Sequence, residues 1–211
     1  MNKKRKIVKS RATEALNIQE AIKFLKNLKE DNKKLHLLFI IQLMLGLRIG
    51  DVLNLKFRDI DGVEELEIIE QKTGKQRKLI FQQRLADEIA EYLDGRYYKP
   101  NDYVFLNKRK TRTFSISYIN QTLKKLFIKY DIKYTGNASS HTFRKTFATE
   151  IVKSYDYSEK GIFIVNKLFQ HTTIQTTLRY LGIDKLELDN SYGLISLTTD
   201  DDLDNERVLH L

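Results

Sequence analysis

Hydrophobic residues recur along this chain with two periods, and the period decides which element each stretch predicts. Ile18, Ile22, Leu25 and Leu28 return at helical spacing, with Asn17 placed as an N-cap and Glu20 three residues on, as in a capping box. Leu37 to Leu45 is apolar apart from Gln42, which predicts a buried helix stopped by Gly46 at its C-terminal cap. A second short helix spans about Ile49 to Leu55, so Arg48 stands at the corner between two helices, where a guanidinium can point into a cleft. Glu64 to Glu70 and Arg77 to Phe81 are short Leu/Ile-rich runs with partial alternation. The six residues between them, Gln71-Lys72-Thr73-Gly74-Lys75-Gln76, have the glycine and the polarity of a hairpin loop, with Lys72 at its mobile tip. Further on, Arg84–Leu93, Ser115–Tyr130, Thr142–Val152, Ile162–Phe169 and Thr173–Tyr180 read as helices, and Val104–Leu106 as a short strand. The pattern predicts an α+β fold that is mainly α: a helical domain around a small antiparallel β-sheet or hairpin, with no internal repeat and no linker long enough to separate two folded domains.

Composition narrows the class. A chain of 211 residues with 41% hydrophobic content suits one large domain with tails, and 1 Pro and 9 Gly favour helices over a sandwich of many strands. The apolar stretch Leu35–Leu47 is interrupted by His36 and Gln42, so it does not qualify as a membrane span. Asn2–Arg11 is basic, but the next stretch of chain is mixed and amphipathic, unlike the apolar block of a signal peptide. Without cysteine there is neither a disulfide framework nor a thiolate metal site, and a cytoplasmic protein is expected.

Net charge is +9, and its distribution is uneven. Residues 184–211 hold eight acids against two basic residues, so this tail carries −6 and the rest of the chain +15. Lys3, Lys4, Arg5, Lys6, Lys9 and Arg11 form a basic arm. Lys72, Lys75, Arg77 and Lys78 make a second cluster, and Lys108, Arg109, Lys110 and Arg112 a third. Such clusters supply salt-dependent affinity for nucleic acid by releasing its counterions. Solvated faces of a Lys-rich chain are the bland alternative.

The candidate chemistry lies in a constellation. A phosphodiester passing through a pentacoordinate state carries charge on two non-bridging oxygens, which arginines match better than lysines; Arg48 and Arg144 are the candidates. His141 precedes Arg144 by three residues, so a helix starting at Thr142 puts both on one face near its N-terminus, where unpaired amides also favour phosphate. A tyrosine hydroxyl titrates near pH 10 and needs a proton acceptor or a strongly positive site to attack at neutral pH. Tyr180 is that candidate, with His141 and His171 as acceptors. The departing oxygen needs a proton, and Lys72 is the best-placed donor, with Lys75 competing if the loop register differs.

Each residue also has an ordinary reading. Arg48 can pair with Asp51 or Asp59, Lys72 can be a hairpin solubiliser, His141 can cap the adjoining helix, His171 can be a polar residue at a helix end, and Tyr180 is one of 11 tyrosines that usually serve packing. Other signals fail outright. Thr73-Gly74-Lys75 lacks the remainder of a P-loop, the four histidines show no metal-ligand spacing, and Asp200–Asp204 lacks the glycine and terminal glutamate of a calcium loop.

Taken in order, these residues resemble the tyrosine recombinases of the phage-integrase family. Gly46-Leu47-Arg48-Ile49-Gly50-Asp51-Val52-Leu53-Asn54-Leu55 is similar to the family's first arginine motif, Gln71-Lys72-Thr73-Gly74-Lys75 to its hairpin lysine, and His141-Thr142-Phe143-Arg144 to its histidine and second arginine. Leu168 through His171 to Tyr180 is similar to its last motif, with the tyrosine nine residues after the histidine. The resemblance covers roughly Thr13 to Ile183. It implies a site-specific recombinase that cleaves and rejoins double-stranded DNA through a 3′-phosphotyrosyl intermediate, with no metal or other cofactor. Tyr180 would be the nucleophile, Arg48 and Arg144 the phosphate clamp, Lys72 the general acid, and His141 and His171 hydrogen-bonding or acid/base groups. It also implies four protomers acting on two DNA sites. The organisation expected is a basic arm over 1–12, a catalytic domain over 13–183 and an acidic tail over 184–211 that docks on a neighbouring protomer. Gln170 departs from the family's usual glycine, and the short arm resembles the small single-domain members such as the fimbrial-switch invertases. A silent DNA-binding accessory protein of the same fold and a type IB topoisomerase-like enzyme are the alternatives.

Overall fold

The computed structural model of the chain describes residues 12–70, 74–109 and 111–183. They belong to two compact units, Met1–Gly161 and Ile162–Leu211.

The first unit is built around an apolar helix. Helix α1 (Ile18–Asp31) and helix α2 (Lys33–Leu45) share Asn32 as the residue between them, and its side chain accepts from the Leu35 amide to start α2. That cap begins α2 four residues before the apolar run predicts, because Lys33, Lys34 and His36 disguise its first turn. Nine of its residues are buried, and α2 packs against α1, the short helix α3 (Ile49–Leu53), α4 (Gln83–Leu93) and α6 (Thr142–Ser154). A helix with apolar residues on all sides is stable only when covered on all sides. Phe24 and Phe39 meet edge-on at 5.6 Å, and Phe143 of α6 lies 4.9 Å from Phe39, which ties three helices through ring contacts. Helix α5 (Ile116–Lys129), capped by the Ser115 hydroxyl, adds Phe127 at 5.2 Å from Phe24.

The sheet is a single hairpin. Strand β1 (Glu65–Ile69) pairs antiparallel with β2 (Gln76–Ile80), with Ile68 opposite Arg77 and Leu66 opposite Leu79. Val104–Leu106, expected to be a strand, contributes only isolated bridges at its margins, Lys56 with Tyr103 and Leu106 with Thr113. Asn17 caps α1 as expected, through the Gln19 amide, but Glu20 does not complete a capping box: its carboxylate accepts from the Lys133 amide and fastens the loop after α5.

Helix α7 (Glu159–Phe169) enters the second unit at Ile162, and α8 (Ile174–Leu181) completes its described part. Thr173 caps α8 at its start, and Gly182, at φ 80°, ends it. No helix among the described residues is long and apolar enough to cross a membrane.

Candidate active site

The end of α2 is where the first unit collects its candidate residues. An α-helix leaves its last carbonyls without intrahelical donors. Here three consecutive carbonyls receive side chains from three different elements: Leu45 O accepts from Arg77 of β2 at 2.9 Å, Gly46 O from Arg144 of α6, and Leu47 O from Gln42 of α2 itself at 3.3 Å. Gln42 also donates to Ser140 O at 2.7 Å, so one buried amide joins the carbonyl before Arg48 to the carbonyl before His141. Gly46 sits at φ 59°, and a Cβ there would come 2.3 Å from the Phe147 ring, so both the backbone and the α6 packing require glycine. The corner therefore holds Arg48, Arg144 and the His141 loop together through backbone atoms.

Arg48 is partly exposed and ion-paired with Glu70, which is fully buried. Glu70 takes the place of Asp51 or Asp59, the partners expected from nearness along the chain, and Asp59 instead accepts from the Lys56 amide at 2.8 Å. Arg77 lies 3.8 Å from the same Glu70 and is 6% exposed. Its expected place in a surface cluster with Lys75 and Lys78 is thereby corrected. Strand alternation sends Arg77, Leu79 and Phe81 to the inner face, opposite the inward Leu66, Ile68 and Glu70. Burial pushes the Arg77 guanidinium below the ordinary arginine value, opposed by the neighbouring Glu70 and Asp51 carboxylates.

Arg144 is 2% exposed, whereas His141 is exposed at the head of α6 and makes no side-chain cap there. The capping work falls to Ser139 and Thr142, the Thr142 hydroxyl accepting from the Ser139 amide and the Ser139 hydroxyl from the His141 amide. Lys145, next along α6, is partly buried, and burial lowers its ammonium below the ordinary lysine value. Lys75, Lys78, Lys108, Arg109 and Arg112 are exposed, Lys78 pairing with Glu65 at 2.5 Å. Lys72 and Lys110 lie outside the described residues, as do most of the basic arm and the acidic tail.

In the second unit the His171 and Tyr180 rings meet edge-on at 5.6 Å, and each also meets Phe169 at 5.5 Å. The Tyr180 hydroxyl oxygen is buried. His171 Nδ1 is 2.9 Å from the Thr177 hydroxyl, which in turn receives the Asn166 amide at 3.0 Å. Gln170 adopts the left-handed backbone at φ 51° directly before His171.

Comparison with known proteins settles the family. The phage integrase family profile matches residues 13–187. The chain belongs to the phage integrase family. A probable integrase/recombinase, YoeC, of Bacillus subtilis is 31% identical over 168 residues, covering 80% of this chain and 86% of that protein. Tyrosine recombinase XerA of Pyrococcus horikoshii is 32% identical over 157 residues, covering 72% of this chain but 52% of its relative. The chain thus spans most of the Bacillus protein and about half of the archaeal one. In fold, it matches a crystal structure of XerA recombinase with a TM-score of 0.66 at 22% identity, covering 94% of this chain and 65% of that one. It also matches the catalytic domain of bacteriophage HP1 integrase with a TM-score of 0.53 at 20% identity, over 79% of this chain and 86% of that domain. The described residues carry the fold of a tyrosine recombinase catalytic domain.

Proposed function

We propose that the chain is a site-specific DNA recombinase that cleaves and rejoins strands of double-stranded DNA through Tyr180. The observation that carries this reading is the α2 corner, where Arg144 and Gln42 hold the two backbone carbonyls that lead into Arg48. Two guanidiniums anchored to one rigid turn can take the non-bridging oxygens of a phosphodiester without reorganising as charge develops. Tyr180 attacks phosphorus, a 3′-phosphotyrosyl bond forms, and the P–O5′ bond breaks. Lys72 donates the proton that turns the leaving oxygen into a 5′-hydroxyl. That hydroxyl later attacks the equivalent bond on a partner strand, so the phosphodiester is reformed without ATP or metal. Exposed His141 is suited to accept the tyrosine proton, and His171 to hydrogen-bond the phosphate.

Lys75, Lys78, Lys108, Arg109 and Arg112 are suited to backbone phosphates, which fix position without reading sequence. The active assembly in this reading is a tetramer on two DNA sites, formed from monomers when DNA is bound and steadied by the acidic tail on a neighbouring protomer. Its place of work is the cytoplasm, where chromosomal DNA is met. Incubation with nicked duplexes drawn from the flanks of the gene, in the presence of chelator, should leave a protein–DNA adduct that resists denaturant. The adduct should be absent in Tyr180→Phe while DNA retention on a gel persists. An adduct abolished by chelator would overturn the metal-free chemistry, and relaxation of any supercoiled plasmid by a monomer would favour a topoisomerase.

A further inference from the structure

Asn166, Thr177 and His171 form a short chain of hydrogen bonds whose direction can be worked out atom by atom. The Asn166 side-chain nitrogen lies 2.9 Å from Thr173 O and 3.0 Å from Thr177 Oγ1. A backbone carbonyl only accepts, so the atom facing it must be the amide nitrogen, and the assignment of oxygen and nitrogen in Asn166 is thereby fixed. Both amide hydrogens are then committed, one to Thr173 O and the other to Thr177 Oγ1. Thr177 Oγ1 accepts from Asn166 and has one hydrogen of its own to place.

Thr177 is fully buried, and its hydroxyl's hydrogen-bond partners among the described residues are Asn166 and His171 Nδ1, the latter at 2.9 Å. If Nδ1 carried a hydrogen and donated to Oγ1, the threonine hydrogen would be left buried without an acceptor, which is costly. With the threonine donating to Nδ1 instead, every group in the chain is satisfied. We propose that Asn166 and Thr177 are positioning residues that lock His171 in the tautomer with Nδ1 bare and Nε2 protonated. The opposite ring edge is thereby a fixed N–H donor, since the bond made by one ring nitrogen sets the state of the other.

This deepens the recombinase reading and rests on it for its role in the reaction. A neutral ring that presents Nε2–H can donate to a phosphate oxygen, and it cannot take the Tyr180 proton at that atom. Of the two functions open to His171 from sequence, hydrogen-bond donor and proton acceptor, the relay selects the first. Proton acceptance from Tyr180 then belongs to a group other than this ring nitrogen.

The test separates the relay from the recombination chemistry by reading the ring directly. Full-length protein with ¹⁵N-labelled histidine is measured at neutral pH without DNA, the His171 signals being assigned by their loss in His171→Gln. The expected pattern is an unprotonated Nδ1 and a protonated Nε2. Thr177→Ser should keep it. Thr177→Val should lose it, and cleavage of a nicked duplex should fall about 10- to 100-fold with DNA retention unchanged, the usual scale for removing a group that orients a working ligand. Asn166→Asp provides an independent arm: a carboxylate cannot donate to Thr177, so the hydroxyl turns toward it and accepts from the ring, leaving Nδ1 protonated. A protonated Nδ1 in the wild type would overturn the relay whatever the enzyme does to DNA. Wild-type cleavage by Thr177→Val would overturn its part in the reaction. Failure of the Tyr180 adduct, by contrast, would remove the recombinase reading and leave the tautomer standing.

Discussion

Gly46→Ala is the substitution that most directly questions how the Arg48 corner is built. Gly46 ends α2 at φ 59°, and an added Cβ would lie 2.3 Å from Phe147 Cδ1 and 2.5 Å from Cε1. Holding an L-residue in the left-handed region costs about 1–2 kcal/mol. Forcing an extra methyl into a packed site costs about 1–3 kcal/mol more. The variant should therefore lose about 2–5 kcal/mol, read from equilibrium urea unfolding at a shared m-value. In a Phe147→Ala background the clash disappears and the backbone strain remains, so the same substitution should cost only about 1–2 kcal/mol, a coupling the double-mutant cycle measures directly. Cleavage should fall with stability in Gly46→Ala, since a shift of about 1 Å in a positioned group can cost on the order of 100-fold. A cost below about 0.5 kcal/mol, or equal costs in both backgrounds, would refute the account of the corner.

Glu70→Leu takes from buried Arg77 the carboxylate 3.8 Å away, so it should destabilise by about 3–5 kcal/mol, and Glu70→Leu with Arg77→Leu should be the more stable of the two in urea. Gln42→Leu strips donors from Leu47 O and Ser140 O and should cost about 1–3 kcal/mol by the same measurement, with slower DNA cleavage. On the acid side, burial resists ionisation of Glu88, but hydrogen bonds from Lys29 and His36 outweigh it and hold the carboxyl below its ordinary value. Its contribution is present above the unfolded glutamate pKa, near about 4.3, and is lost as pH falls through the folded value. Unfolding free energy should therefore decline on acidification below that point, and less steeply in Glu88→Gln.

The helices were legible because their signals are local. Asn17, Gly46 and Ser115 mark ends by chemistry that acts within one turn, and α4 to α8 begin and end close to where periodicity puts them. Arg77 and Glu70 show what charge counting overlooks. Both occupy inward positions of an alternating hairpin, and the period-two pattern that predicted the strands also marks them as buried. Gln42 was visible as a lone amide in an apolar helix, but its partner at Ser140 arises only when the loop before α6 reaches the end of α2. Glu20 found a better acceptor role 113 positions away than in its own cap. Asn166 and Thr177 carry no sequence signal of their own; their meaning depends on the direction of two hydrogen bonds.

The claim at the centre is that Tyr180 becomes joined to the 3′-phosphate of cleaved DNA. Trapped adduct, trimmed with nuclease and proteolysed, should yield in the mass spectrometer a peptide containing Tyr180 with a nucleotide remnant on its oxygen. The released strand should accept phosphate from a polynucleotide kinase, as a free 5′-hydroxyl must. A remnant on any other residue, or a released strand that already carries a 5′-phosphate, would contradict it.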